Sequence, residues 1–286
     1  MKIGAVYPQI KLGGDPDAVR RFGLAVEELG FDHLLVYDHV LGAVHADRTP
    51  ELVGPYTERD PFHDPLMMFS YLAGITERIE LVTGILILPQ RQTALVARQT
   101  ADLDLLSAGR FRLGVGVGWS HVEYEALGQD FTTRGAREEE QIELLRQLWT
   151  GDVVDFDGRF DRVDRAALVP KPTGQIPIWL GGWGSKALAR AARIGDGFIF
   201  GGGTKDVLGM WERLRGLVGE AGRPVDEFGA EWIIPAVKGP DDVASKAETW
   251  AGAGGSHAAV VTMNMGLQGV DAHIDVLAKA ASALGR

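Results

Sequence analysis

The sequence predicts a single (β/α)8 TIM-like barrel over residues 1–286, on three observations. Short apolar, β-branched runs alternate with helical stretches about eight times along the chain. The runs are almost continuously hydrophobic, as in a parallel sheet covered on both faces. The length is that of one barrel, no linker divides it, and no Gly-x-Gly-x-x-Gly turn follows the first run, which disfavours an open dinucleotide-binding sheet.

Residues 2–7 form the first strand. Asp15-Pro16 then joins an N-cap to a proline at the first helical position; Val19, Phe22, Val26 and Leu29 follow at helical spacing, and Gly30 closes the helix. Residues 33–37 are the second strand, ending in Asp38-His39. Residues 40–62 form a first insertion, long, irregular and punctuated by Pro and Gly, of a kind that is often functional. Asp64-Pro65 repeats the cap-and-proline signal for a helix to about Gly74. The third strand covers residues 81–89, its helix 93–107 closes at Ala108-Gly109, and residues 111–119 are the fourth strand, completing a βαβ unit. Residues 120–133 are a second insertion, 134–150 an amphipathic helix with Ile142, Leu145 and Trp149 on one stripe, and 152–171 a small surface hairpin. The fifth strand, 176–180, runs into Gly181-Gly182-Trp183-Gly184-Ser185 and a helix to about Arg193. The sixth, 197–200, runs into Gly201-Gly202-Gly203-Thr204 and a helix to about Ala221. The seventh, 231–237, precedes a helix over 240–253. The eighth, 257–263, precedes a last helix over 270–284, which buries Ile274, Leu277, Ala281 and Leu284.

Composition narrows the function. A formal charge of −10 argues against nucleic acid or an anionic membrane surface as the partner. With no cysteine, disulfides and thiolate metal sites are excluded. No run approaches membrane-spanning length, and the apolar start is too short for a signal peptide, so a cytoplasmic protein acting on a small molecule is expected. The histidines are scattered, so no metal is expected, and no Gly-x-Ser-x-Gly elbow offers an acyl-transfer nucleophile.

Ligands of such barrels sit at the C-terminal ends of the strands. Gly114, Gly116 and Gly118 alternate along the fourth strand and fall on one face, which suits either a flat ring-shaped ligand or a tight barrel interior. Gly181 to Ser185 precedes a helix whose free amides and positive end suit a phosphate. Gly201 to Thr204 offers the same one unit later, and ordinary tight turns are the alternative in both places. His39 is placed to donate to a carbonyl or shuttle a proton, or to be a satisfied structural histidine. Trp119, Trp183 and Trp232 lie near strand ends as candidate pocket walls. The acidic run Glu138-Glu139-Glu140 reads as a solvated face near a helix start.

Several motifs in order carry a resemblance over nearly the whole chain: Tyr37-Asp38-His39, Thr83-Gly84-Ile85 with Leu88-Pro89, Leu105 to Phe111, Gly114 to Trp119, Pro177 to Gly182 and Ala191 to Gly197. The chain resembles the luciferase-like monooxygenase superfamily, most closely its coenzyme F420-dependent oxidoreductase branch. The resemblance implies a bacterial luciferase-like barrel, with insertions after strands two and four, binding a deazaflavin at the strand ends. Asp38 and His39 would border the site, with His39 the catalytic residue. Thr83-Gly84-Ile85 would form a bulge behind the central ring, often with a cis non-proline peptide. Gly116, Val117, Gly118 and Trp119 would line the ring. Gly181, Gly182, Trp183, Gly184 and Ser185, with Gly201, Gly202 and Gly203, would hold the phosphate. Family dehydrogenases often carry a glutamate where this chain has Trp119, and Glu123 is near but shifted by a turn. The implied activity is hydride transfer between F420 and a small organic substrate. An FMN-dependent two-component monooxygenase and a non-catalytic flavin-binding protein are the alternatives, and a homodimer is the form the resemblance suggests.

Overall fold

A computed structural model describes residues 1–286. Eight parallel strand positions close on themselves. They are β1 (Lys2–Val6), β2 (His33–Val36), β3 (Glu80–Thr83) continued by β4 (Leu86–Ile87), and β5 (Phe111–Gly116), followed by β8 (Ile178–Gly181), β9 (Gly197–Phe200), β10 (Gly229–Pro235) and β11 (His257–Val261). β1 pairs with both β2 and β11, and β3 pairs with β5, which completes the ring. The helices α1 (Pro16–Glu28), α2 (Pro65–Ala73), α3 (Thr93–Leu106), α5 (Arg134–Thr150), α6 (Ser185–Ile194), α7 (Val207–Glu220), α8 (Pro240–Gly252) and α9 (Gly269–Ala283) surround it. The antiparallel hairpin β6 (Val154–Asp157) and β7 (Arg162–Ala166) lies outside the barrel, as expected for residues 152–171. No helix is long and apolar enough to cross a membrane.

The local signals act as read. The Asp15 carboxylate accepts from the Asp17 amide, the Asp64 carboxylate accepts from Leu66 and Met67, and a proline follows each cap. One expectation changes. The third strand is not continuous over 81–89: it breaks after Thr83, passes a cis Gly84-Ile85 peptide and resumes at Leu86. The second insertion contains a short helix, α4 (His121–Ala126), capped by the Ser120 hydroxyl. Between β2 and α2 the chain forms neither helix nor strand.

Strand alternation sorts the core into an outer annulus against the helices and an inner column. The lower end of the column is polar. The Arg112 guanidinium donates to Glu231 (2.8 Å) and Glu80 (3.2 Å), His33 meets the other Glu231 oxygen, and Arg112 lies over the Trp179 ring. Ion pairs among buried groups demand hydrogen-bonded partners, and here most are supplied by neighbouring strands. Two further motifs prove to be stitching. Arg110 donates to the carbonyls of Ala73, Thr76, Ile79 and Ser107, and Asp196 accepts from the Ile178 amide and Arg146.

Candidate active site

The residues singled out at strand ends fall on five consecutive strands of the ring: His39 after β2, Gly84-Ile85 after β3, Gly116 on β5, Gly181 on β8 and Gly201 after β9. They therefore form one arc around the C-terminal mouth, the position where ligands of such barrels bind.

At the centre of the arc the glycines serve close approach, with the chain itself as the neighbour. A Cβ on Gly114 would meet the Thr83 carbonyl at 1.9 Å, and one on Gly116 or Gly181 would meet the Ile85 side chain at 2.8 or 2.7 Å. Gly118 lies beyond the strand at φ +62 and faces Ile87 instead, so the three glycines do not present one bare face. Of the two readings of these glycines, the tight interior holds at Gly114 and Gly116, against which the Thr83 carbonyl and the Ile85 side chain pack. Thr83 holds the break together. Its hydroxyl donates to the Gly114 carbonyl (2.7 Å) and accepts from the Gly114 amide (2.8 Å), standing in for the strand pairing that the bulge interrupts. Asp38 braces the far side. Its two oxygens accept from the Ile87 amide (2.9 Å) and from Arg91 (2.7 Å), which also reaches Asp64. Both Asp38 oxygens are thus engaged by the chain's own donors.

His39 stands at one end of the arc. Its Nδ1 lies 2.8 Å from Glu123 Oε2, and Glu123 Oε1 accepts from the amides of Val40 (2.7 Å) and Leu41 (3.2 Å). Burial works against the charge on Glu123, but the bond and charge of His39 and the two amides outweigh it and hold the carboxyl below its usual range. The imidazole is enclosed edge-on by Tyr56, Phe62 and Trp119, with ring centroids 5.3, 4.9 and 5.4 Å away. Trp119 is in turn covered by the insertion, since a Cβ on Gly54 would meet its ring at 2.3 Å. Tyr56 and Phe62 had no distinguishing signal within that insertion. Glu123 did: Ser120-x-x-Glu123 is a helix-start pattern, and Ser120 Oγ accepts from the Glu123 amide (3.4 Å). Its carboxylate, instead of folding back on the cap, crosses to β2.

At the other end of the arc the two glycine-rich turns differ. α6 starts at Ser185 after Gly184, which has φ +82 and makes no side-chain cap. Gly184, Ser185 and Lys186 are exposed, and no side chain accepts from the first-turn amides. α7 is already closed by an anion: Asp206 is its N-cap, and its carboxylate accepts from the Gly209 amide (3.0 Å). The two turns, read alike in the sequence, are therefore not equivalent, because a carboxylate already caps α7. Gly201 and Gly203 instead pass under Trp183, whose ring lies 3.1 and 3.6 Å from where their Cβ atoms would be; Trp183 is 67% exposed.

Two other expectations fail. Trp232 does not wall the mouth, because alternation along β10 turns it outward onto Trp250 (6.1 Å) while Ile233 faces inward. The acidic run on α5 is not a solvated face. Glu138 is buried against Arg190 (3.1 Å), and burial pushes its carboxyl up to about 7 despite that neighbour. Glu139 binds Arg190 and Arg193, and Glu140 accepts the amides of Arg159, Phe160 and Asp161 at the hairpin turn.

The model of the luciferase-like monooxygenase family matches residues 4–267, and the chain belongs to that family. Among its relatives is an uncharacterized protein of Mycobacterium tuberculosis (strain ATCC 25618 / H37Rv), 35% identical over 204 residues that make up 70% of each chain. Another is an F420-dependent glucose-6-phosphate dehydrogenase of Nakamurella multipartita, 32% identical over 221 residues, 74% of this chain and 61% of that one. Of solved structures, an F420-dependent secondary alcohol dehydrogenase in complex with an F420-acetone adduct superposes with a TM-score of 0.81 at 18% identity, covering 99% of this chain and 98% of the other. A monooxygenase from Streptomyces bottropensis has the same TM-score at 20% identity, with the same coverage. At these identities the structural likenesses establish the shared barrel.

Proposed function

We propose that the protein is a coenzyme F420-dependent oxidoreductase that moves a hydride between the deazaflavin and a small organic substrate at the barrel mouth. The observation that carries this reading is the His39–Glu123 pair. It places a proton-handling group on the same arc as the Ile85 bulge and the open start of α6. The relatives named as F420-dependent enzymes support the choice of cofactor.

The residues fit such a group. The uncapped amides of α6 and the Ser185 hydroxyl suit a phosphate, favoured by the positive end of the helix. Ile85, backed by Gly116 and Gly181, gives the ring an apolar support, with Val117, Gly118 and Trp119 along its edge and Trp183 flanking the tail. Thr83, Gly84 and Asp38 serve by holding the bulge. Bound there, the deazaflavin supplies the hydride donor or acceptor; the protein supplies position and proton management. His39 Nε2, the ring nitrogen facing away from Glu123, bonds the reacting oxygen and takes or gives its proton. Tyr56, Phe62 and Trp119 exclude water around it.

Fluorescence titration of the purified protein with F420 and, separately, with FMN tests the reading. F420 is expected to bind and FMN to bind far more weakly. Tight binding of FMN alone overturns the cofactor assignment. A His39→Ala variant that keeps F420 affinity but loses turnover, in a panel of secondary alcohols and glucose 6-phosphate, excludes a mere carrier.

A further inference from the structure

We propose that Glu123 is a positioning residue that fixes His39 as its Nδ1–H tautomer, leaving Nε2 as the proton acceptor at the mouth. Glu123 Oε1 is approached by two backbone amides, Val40 N–H and Leu41 N–H, which can only donate. An ionised carboxylate only accepts, so the third partner on Oε2, His39 Nδ1, must carry a hydrogen. A protonated Glu123 donating to Nδ1 is the alternative, and the two backbone amides on Oε1, which favour the ionised carboxylate whatever the state of His39, oppose it.

The pair is held at both ends. α4 is anchored where Ser120 caps it and where the Tyr124 hydroxyl donates to the Val117 carbonyl (2.7 Å) at the end of β5. The imidazole cannot turn freely between Tyr56, Phe62 and Trp119. Of the titratable groups facing the pair, burial pushes Tyr56 up to about 12 and also raises Tyr124, so both stay uncharged. His45 meets Trp119 and bonds the Tyr56 carbonyl rather than the pair. Glu123 is therefore the anion in contact with His39, and it sits behind the ring, opposite Nε2. With one oxygen taken by the amides of Val40 and Leu41 and the other by His39, this carboxylate acts through His39 rather than on substrate.

The test reads the tautomer directly, by long-range 15N–1H correlation on histidine-labelled protein at a pH where the imidazole is neutral, with His39→Gln to assign the signals. Wild type is expected to show a protonated Nδ1 and a bare Nε2. In Glu123→Gln the side-chain oxygen can still accept from Val40 and Leu41, which turns the amide NH2 toward Nδ1 and forces the Nε2–H tautomer. That variant should bind F420 within about twofold of wild type. Its turnover of the best alcohol in the panel should fall about 100-fold or more, the range for losing a general base, with the acid limb of the pH profile lost and KM little changed. A wild-type His39 with Nε2–H, or a Glu123→Gln protein that keeps Nδ1–H, overturns the proposal. The activity measurement rests on the F420 reading. If wild type binds no F420 that reading fails, while the tautomer data still decide the role of Glu123.

Discussion

The difference between α6 and α7 can be turned into a measurement. At α7 the Asp206 carboxylate caps the helix N-terminus; at α6 no side chain does. Ser185→Asp would give α6 a carboxylate of its own in the first turn. Without ligand this is favourable, by about 0.3–1 kcal/mol from interaction with the helix dipole. With the phosphate of F420 on the same amides, two negative charges would stand roughly 5 Å apart. At an effective dielectric constant of about 20 that is a repulsion of about 3 kcal/mol. Ser185 is exposed and salt screens the pair, which reduces the penalty to about 1–2 kcal/mol, or about tenfold in affinity. Fluorescence titration should therefore show F420 bound about tenfold more weakly by Ser185→Asp. The phosphate-free deazaflavin riboside should be unaffected, and Ser185→Ala should lie between. Unchanged F420 affinity, or equal weakening of both ligands, would refute the placement of the phosphate on α6.

Two further outcomes follow from buried charges. His257 is pushed down to about 3, chiefly by burial and then by the nearby Arg112 charge. The unfolded chain therefore binds the extra proton first, and stability falls as pH drops below about 6.5, by about 2 kcal/mol by pH 5. Urea midpoints at pH 7 and 5 should show this loss in wild type and a correspondingly smaller one in His257→Gln; equal losses would acquit His257. Asp38→Ala should destabilise the protein without ligand by about 3 kcal/mol, because Arg91 loses one of two carboxylates and the Ile87 amide its acceptor. If its denaturation midpoint is unchanged and only F420 affinity falls, Asp38 contacts the cofactor instead of bracing the bulge.

Features encoded within a few residues were legible in the sequence, and those that need a distant partner were not. Asp15-Pro16 and Asp64-Pro65 located helix starts because the cap and the amides it satisfies are neighbours in the chain. The motif of Thr83-Gly84-Ile85 marked the bulge through family likeness, but its supports come from Asp38 on one side and Gly114 on the other, and periodicity alone drew a continuous strand. The run Glu138-Glu139-Glu140 looked solvated because its partners, Arg190 and Arg193 on α6 and the turn amides at 159–161, lie elsewhere in the sequence. Asp206 was a missed local signal: reading the α7 helix directly from Gly201-Gly202-Gly203 overlooked the carboxylate two residues past Thr204 that caps it.

The inner column keeps the two charged systems of the barrel apart. His33, Glu80, Arg112, Glu231 and His257 point inward near the lower ends of their strands, and two residues further along come Leu35, Val82, Gly114, Ile233 and Ala259. That apolar layer separates the lower ion pairs from His39 and Glu123, which lie a further few residues up, on the order of 15–20 Å along the strand direction. At such a distance the interaction of any one lower charge with His39 is small beside that of a carboxylate 2.8 Å away. Acidification should then act twice and independently. Stability should follow His257 and its neighbours, and turnover should follow the His39–Glu123 pair. His257→Gln should lessen the first dependence, to which the buried His273 also contributes, and leave the pH profile of turnover where it was; Glu123→Gln should change the turnover profile and leave the stability loss between pH 7 and 5 in place. A shift of the turnover profile in His257→Gln would mean that charge is communicated through the column, and Glu123 alone would then not set the protonation of the mouth.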